Sequence, residues 1–408
     1  MISHPLRVLF LASYFPKPDN PLMGTWALEQ AKALVRQDID LKVISLTSWV
    51  PRAFAVTTGA KAYANCPIEY DWIDGVKVDY PRWLYYPISP IKLWMHSHPI
   101  SYLKIAYKSV EKSLLESIES FSPDLIFCHH TLPNGWMAAQ LAQKFCRPLI
   151  TFDHDYDEIV DCRKYPQRKS AVLSVTQKAW AMLSVSQRME RDMQSIFPNI
   201  RRTLTHHIGV NLPSDDLIRH PRPAEIKDKV IILSCALFSE RKGIPLLIEA
   251  FCSIADKHPN AILRIIGSGP DEENIKATAA QCDQNYQVQL LGKKPHSEVL
   301  QEMSWADCFA LVSWDEPLGA VYLEAMAAAK PVICCNDGGI NDIIENNIHG
   351  YTVAPKDLST TIEALEKMLS NCNKRLEMGK NSKQLIVKKM CWDAKATELI
   401  NLFEEALY

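Results

Sequence analysis

No stretch of the 408 residues is apolar for long enough to cross a bilayer, which takes roughly 20 consecutive apolar residues. The one short run that resembles a signal core, Val8-Leu9-Phe10-Leu11-Ala12-Ser13, follows a single Arg and precedes Pro16 and Pro18. It reads better as a first buried strand. The 12 cysteines include no Cys-x-x-Cys pair, and several lie in apolar runs, such as Cys235 and the adjacent Cys334 and Cys335. That usage predicts reduced core residues in a cytosolic protein. Charge of one sign is also missing: 45 Lys and Arg against 47 Asp and Glu give a net charge of -2. A nucleic-acid partner is therefore not expected. The one Gly-x-Gly, Gly267-Ser268-Gly269, lacks the third glycine of a dinucleotide fingerprint.

What remains is an ordinary globular composition, 47% apolar and 23% charged, in a chain too long for one core. Buried strands and amphipathic helices alternate along both halves. In the first half, strands are expected at residues 6–13, 41–46, 124–128, 149–152, 181–186 and 203–210. In the second half they are expected at residues 230–234, 261–266, 287–291, 309–313 and 331–335. Residues 211–228, with Pro213, Pro221 and Pro223, break all periodicity. The fold class is α/β, two doubly wound parallel-sheet domains with a cleft between them. The boundaries are residues 1–211 for the first domain, 212–228 for the linker and 229–385 for the second. A C-terminal helix within 386–408 is expected to pack back across the boundary.

In such sheets, ligands gather beyond the strand ends. The first strand leads through a Pro-rich loop to Gly24-Thr25, with Thr25 a candidate N-cap and Gly24 either a plain turn glycine or a point of close approach. Two consecutive strands end in His129-His130 and in Asp153-His154-Asp155. In the second half, Arg241-Lys242-Gly243 puts cations at a strand-to-helix turn, while Gly267-Ser268-Gly269 and Gly338-Gly339 let backbone approach a ligand closely. Each alone is ordinary; they recur in order at consecutive strand ends.

The most informative stretch runs from Ser313 through Glu316, Leu318, Gly319 and Ala320 to Glu324 and Pro331. It reads as a strand, a loop and a helix of Ala, Leu, Met and Val stopped by proline. Glu324 is the helix's only charge. A helix so apolar should be buried, and a carboxylate within it needs a specific partner, either a ligand or an arginine. Glu316 sits just before the helix, where free N–H groups favour an anion or a polar ligand. Residues 82–108 mix aromatic and basic side chains: Arg82, Trp83, Tyr85, Tyr86, Lys92, Trp94, Tyr102, Lys104, Tyr107 and Lys108. The mixture suits either a membrane interface or a helix pair covering the sheet with snorkelling lysines.

On these residues the sequence resembles the retaining GT-B glycosyltransferases of glycosyltransferase family 4, the group 1 glycosyl transferases. The acid–seven residues–acid motif Glu316 to Glu324 with Gly319 inside it carries the likeness. Around it stand Arg241-Lys242-Gly243, Ile266 to Pro270, Leu291-Gly292, Pro331-Val332, Gly338-Gly339 and His349 to Val353. The resemblance implies a nucleotide-sugar donor, taken to be a UDP-sugar, on the second domain, and a polysaccharide or lipid-linked glycan acceptor on the first. It implies no obligatory metal and no other cofactor. Lys242 would neutralise the diphosphate, with Arg241 beside it. Glu316 and the amides of Leu318, Gly319 and Ala320 would hold sugar hydroxyls and phosphate. Glu324 would take the ribose hydroxyls, and Lys293 would sit where the loop meets the base. His130 would stand beside the transferred sugar, with Gly24 and Gly269 allowing close approach. The location implied is cytoplasmic, with peripheral membrane contact through residues 82–108.

The chain departs from the family pattern in three places. Cys235-Ala236-Leu237 stands where Gly-Arg is usual, Gly24-Thr25 replaces Gly-Gly, and Ile208-Gly209-Val210-Asn211 replaces Asn-Gly-Val-Asp. The first of these keeps open a non-catalytic nucleotide-sugar-binding partner. A metal-dependent site at Asp153-His154-Asp155 or Asp155-Tyr156-Asp157 is a further alternative.

Overall fold

The computed structural model describes residues 5–86, 88–155, 159, 161–282 and 287–408, and the chain divides into two compact units. The first comprises Met1–Gly209 with Trp392–Tyr408, the second Val210–Cys391.

The strands of the first unit are β1 (Arg7–Leu11), β2 (Asp40–Ile44), β3 (Thr47–Ser48), β4 (Glu69–Asp71), β5 (Lys77–Asp79), β6 (Arg82–Trp83), β7 (Leu125–His129), β8 (Leu149–Asp153), β9 (Ala181–Ser184) and β10 (Thr203–Thr205). Eight form one sheet in the order β10-β9-β8-β7-β1-β2-β5-β4, parallel except where β4 runs against β5. Strands β3 and β6 pair separately. Order reverses between β7 and β1, so the loops after these strands flank the switch point where such sheets bind ligands. The central strands are buried on both faces, as their unbroken apolar runs require, and Phe10 on β1 packs against Phe127 on β7. The helix Thr25–Arg36 follows β1 and the helix Trp392–Leu407 packs against it.

The second unit holds β11 (Val230–Leu237), β12 (Ala261–Ser268), β13 (Val288–Leu290), β14 (Cys308–Leu311), β15 (Val332–Cys335) and β16 (Gly350–Val353). They form one wholly parallel sheet, ordered β13-β12-β11-β14-β15-β16. Here the reversal falls between β11 and β14. Both halves thus have the doubly wound parallel architecture that the alternation of elements predicts.

One local expectation is corrected. Thr25 is not the N-cap of its helix: Gly24 holds that position in the left-handed region at φ 73°, and no side chain caps the end. Residues 212–228, expected as a linker, contain the short helix Asp215–Arg219 and a turn at Ala224–Ile226. Trp305 Nε1 donates to the His220 carbonyl at 3.1 Å, fastening this stretch to the second unit. Its prolines end helices; they do not prevent short ones.

Candidate active site

The loops after β11 and β14, on either side of the switch point, meet at Glu316. The β14 loop runs from Val312 to Gly319 before the helix Ala320–Ala327 begins. The loop turns twice through left-handed residues, Asp315 at φ 53° and Gly319 at φ 84°. At Gly319 a Cβ would come within 2.6 Å of the Tyr322 ring, so only glycine fits this entry to the helix. Tyr322 is fully buried and anchors the turn by donating its hydroxyl to the Leu311 carbonyl at 2.6 Å.

The Glu316 side chain is 9% exposed, and three donors converge on its Oε2. Lys242 Nζ donates at 2.5 Å, Arg241 Nη1 at 3.1 Å and Ser313 Oγ at 2.7 Å. A buried carboxylate needs such compensation, and two cations with a hydroxyl supply it. All three bonds use one oxygen, which leaves Oε1 without a hydrogen-bond partner among the described residues. Backbone bonds lock the arrangement: Trp314 N donates to Arg241 O at 3.0 Å, and Gly339 N to Glu316 O at 2.9 Å. The amides of Leu318, Gly319 and Ala320 have no acceptor among the described residues, as expected at a helix start.

Glu324 corrects the reading of its helix. Ala320, Val321, Glu324 and Ala328 form a partly open strip, and the Glu324 side chain is 22% exposed. Its Oε1 lies 2.8 Å from His296 Nε2, a bond that raises the His296 pKa above its usual value. The carboxylate expected to be buried is thus half-open and paired, while the loop acid is the buried one. The cause is composition: the open strip is built of Ala and Val, which a sequence cannot tell from core. Glu324 also faces the end of β11, where burial and this carboxylate push the Cys235 thiol up to about 12.

Around this centre, Gly269 follows β12 so tightly that a Cβ would meet the Phe238 carbonyl oxygen at 2.4 Å. Lys293 is exposed, just before the loop turns into the helix carrying His296. The second unit therefore brings Arg241, Lys242 and Glu316 into direct contact and puts Leu318, Gly319, Ala320 and Glu324 along one helix start. Gly269 and Lys293 lie on separate strand-end loops. Sequence reasoning passed over Ser313 as a ligand of Glu316 and His296 as a partner of Glu324; neither residue type at its position carries a pattern that marks it.

In the first unit, Gly24 and His130 both border Tyr14. A Cβ on Gly24 would lie 2.2 Å from the Tyr14 carbonyl oxygen, and the Tyr14 and His130 rings are 5.4 Å apart. His130 is buried at φ 69°, where Gly135 N donates to its carbonyl at 2.9 Å. Burial lowers its pKa, with Asp153 opposing. Asp153 accepts from Thr131 N at 2.7 Å and from Thr131 Oγ1 at 2.6 Å, so its carboxylate serves the β7 loop. Tyr156 and Asp157 of the Asp155-Tyr156-Asp157 string lie outside the described residues. Among the described residues no group of three or more His, Cys, Asp or Glu side chains is placed to hold a metal ion.

Comparison with known proteins gives a consistent result. The family model described as Glycosyltransferase Family 4 matches residues 23–212, and that described as Glycosyl transferases group 1 matches residues 218–385. The chain is 27% identical over 355 residues to an uncharacterized glycosyltransferase of Methanocaldococcus jannaschii, covering 83% of this chain and 87% of that one. Among solved structures it is similar to the sucrose-phosphate synthase of Thermosynechococcus elongatus, with a TM-score of 0.75, 18% identity and 98% of each chain covered. It is also similar to an Anabaena protein crystallised with UDP, with a TM-score of 0.71, 15% identity, and 98% of this chain and 100% of that one covered.

Proposed function

The chain belongs to glycosyltransferase family 4 and is a GT-B glycosyltransferase that uses nucleotide sugars; we propose that it transfers a hexose from a UDP-sugar, with retention, to a polysaccharide or lipid-linked glycan. The observation that carries this reading is the Glu316 centre. Two cations stand at the turn after β11, beside a helix start whose amides are free, and a buried carboxylate offers them one oxygen only.

A diphosphate is the ligand such a turn favours, since Lys242, Arg241 and the free amides supply positive charge from fixed positions. Glu316 Oε1 accepts from a hydroxyl of the donor sugar, and Glu324 accepts from the ribose. The acceptor hydroxyl attacks C1 on the face that the diphosphate leaves. The acceptor O–C1 bond forms as the C1–O bond to phosphate breaks, and the proton passes to the departing phosphate oxygen. The chain supplies positioning and charge stabilisation, with no covalent intermediate on an enzyme carboxylate and no metal step. His130 in the first unit is assigned to the transferred sugar. Choice of UDP rests on the Anabaena complex.

The test is donor hydrolysis without acceptor, with UDP-glucose, UDP-N-acetylglucosamine and GDP-mannose as probes and EDTA present. Slow release of UDP is the expected outcome, and anomeric analysis of the transfer product should show retention. Donor-dependent thermal stabilisation with no hydrolysis or transfer would favour the non-catalytic binding partner, for which the absence of a cation at Cys235-Ala236-Leu237 speaks.

A further inference from the structure

Between Asp79 and Glu111 the chain contains four cations, Arg82, Lys92, Lys104 and Lys108, and no Asp or Glu. In a protein whose acids slightly outnumber its bases, thirty-one residues without a carboxylate form an electrostatically distinct stretch. The structure sorts this segment into two layers. Trp83 and Tyr102 are buried, and the Arg82 guanidinium turns inward to the carbonyls of Tyr63 and Cys66. These residues are core, as the helix-pair alternative requires.

The second layer points outward. The helices Ile91–Ser97 and Pro99–Phe121 bury one stripe each, including Leu103, Ala106 and Val110 on the longer one. Opposite that stripe lie Lys104, Ile105 and Lys108, at spacings that share a helix face. Ile88 is 62% exposed and Leu93 63%, with Lys92 between them in sequence and Trp94 beside them. The loop carrying exposed Trp49 and Phe54 adjoins, because Tyr86 Oη donates to the Trp49 carbonyl at 2.6 Å. Lys108 is paired with Glu111 at 2.8 Å, whereas Lys92 and Lys104 have no acid partner among the described residues. Large apolar side chains interleaved with such lysines are what a helix lying in a lipid headgroup layer presents. No helix among the described residues is long and apolar enough to cross a membrane, so contact would be with the surface.

We propose that this face of the first unit docks on an anionic phospholipid surface. Leu93, Ile88 and Trp94 enter the headgroup layer, and Lys92 and Lys104 meet lipid phosphates. A bilayer is favoured over a protein because the one acid at the edge of this face, Glu111, is taken up by Lys108, which leaves Lys92 and Lys104 as net positive charge, and because the apolar groups are scattered among the lysines. The proposal rests on the lipid-linked acceptor reading for its purpose, and its test needs neither donor nor acceptor.

The test is sedimentation of the full chain with phosphatidylcholine vesicles, with and without phosphatidylglycerol. Binding is expected only to the anionic vesicles and should weaken as salt rises. Leu93→Glu, and separately the pair Lys92→Glu with Lys104→Glu, should each reduce vesicle affinity by about tenfold or more. Both should leave lipid-free donor hydrolysis and the circular dichroism spectrum unchanged. Equal binding to neutral vesicles, no binding to anionic ones, or native affinity in both variants would overturn the proposal. So would a fall in oligomeric mass on Leu93→Glu, which would assign the face to a second copy. Loss of donor hydrolysis in the native chain would sink the transferase reading and leave vesicle binding intact.

Discussion

At the residue scale, the two acids of the motif differ in which one is buried. The sequence marks both Glu316 and Glu324 through their spacing, and it places the two cations of Arg241-Lys242-Gly243 at a strand end. It assigns burial to Glu324, because a helix of Ala, Leu, Met and Val looks apolar all round. Packing reverses this: Glu316 lies under Lys242, Arg241 and Ser313, while Glu324 faces His296 from a strip of small residues. Lys242 is itself 14% exposed and holds the shortest of the three bonds. Lys242→Ala removes the cation nearest the expected diphosphate, yet leaves Glu316 with Arg241 and Ser313. Turnover should fall by about 100-fold or more, the scale of a lost electrostatic donor. Thermal unfolding should shift little, because the carboxylate keeps two partners. Near-native turnover in this variant, measured at saturating donor, would remove Lys242 from the site.

At the element scale, the strands that bury both faces are the ones the sequence displays. Their apolar runs are continuous and end at glycine, proline or polar clusters, so β1, β7, β8, β11, β12 and β15 stand out. The two-residue pair β3–β6 is too short to have a pattern, and β4, Glu-Tyr-Asp, is exposed throughout with no apolar alternation. The polar ends of β7 and β8 were legible, but the convergence of a further strand end on them was not. His206, just after β10, joins the buried His129 and His130 and the partly buried His154 in one group whose rings lie 4.4 Å (His129 to His154) and 5.5 Å (His130 to His154) apart, with Phe152 between His154 and His206. His129 Nε2 meets Gln30 Oε1 at 2.6 Å, and His206 Nδ1 lies 3.6 Å from Glu398. Burial lowers all four pKa values below 6.5, reinforced among His129, His154 and His206 by the neighbouring imidazoles and at His206 also by Lys395. The sign follows from linkage. Above about pH 6.5 both states are neutral and the fold bears no penalty. Below it the unfolded chain takes up protons that the fold refuses, so stability falls with pH, by up to about 1.4 kcal/mol per pH unit for each histidine. Urea midpoints measured from pH 7.5 down to 5.5 should be level at first and then drop steeply, in a range still above ordinary carboxylate titration. A flat profile would contradict the buried, neutral assignment.

At the scale of the whole molecule, the chain visits the first unit, completes the second, and returns its last helix to the first. Trp392–Leu407 carries an apolar stripe of Ala396, Leu399 and Phe403 that the sequence shows at helical spacing, but which unit covers a stripe is a tertiary fact. The structure gives it to the first: Phe403 is fully buried with its ring 5.4 Å from Phe127 of β7. Gly209 makes room for the helix start, since a Cβ there would come within 2.5 Å of the Trp392 ring. The flanking ion pairs Arg36–Asp393 and Arg202–Glu405 are both partly exposed and add little beside this packing. Phe403→Ala should therefore destabilise the first unit by about 3–5 kcal/mol, the cost of emptying a buried aromatic site. Arg36→Ala should cost under about 1 kcal/mol, as an exposed pair does. The Glu316 centre lies wholly within the second unit, so UDP should stabilise that unit equally in the native chain and in Phe403→Ala. Hydrogen exchange reads the units separately. Faster exchange confined to β1, β7 and the helix Thr25–Arg36 is the expected pattern, and loss of UDP protection at the β11 and β14 loops would mean that the last helix supports the donor site as well.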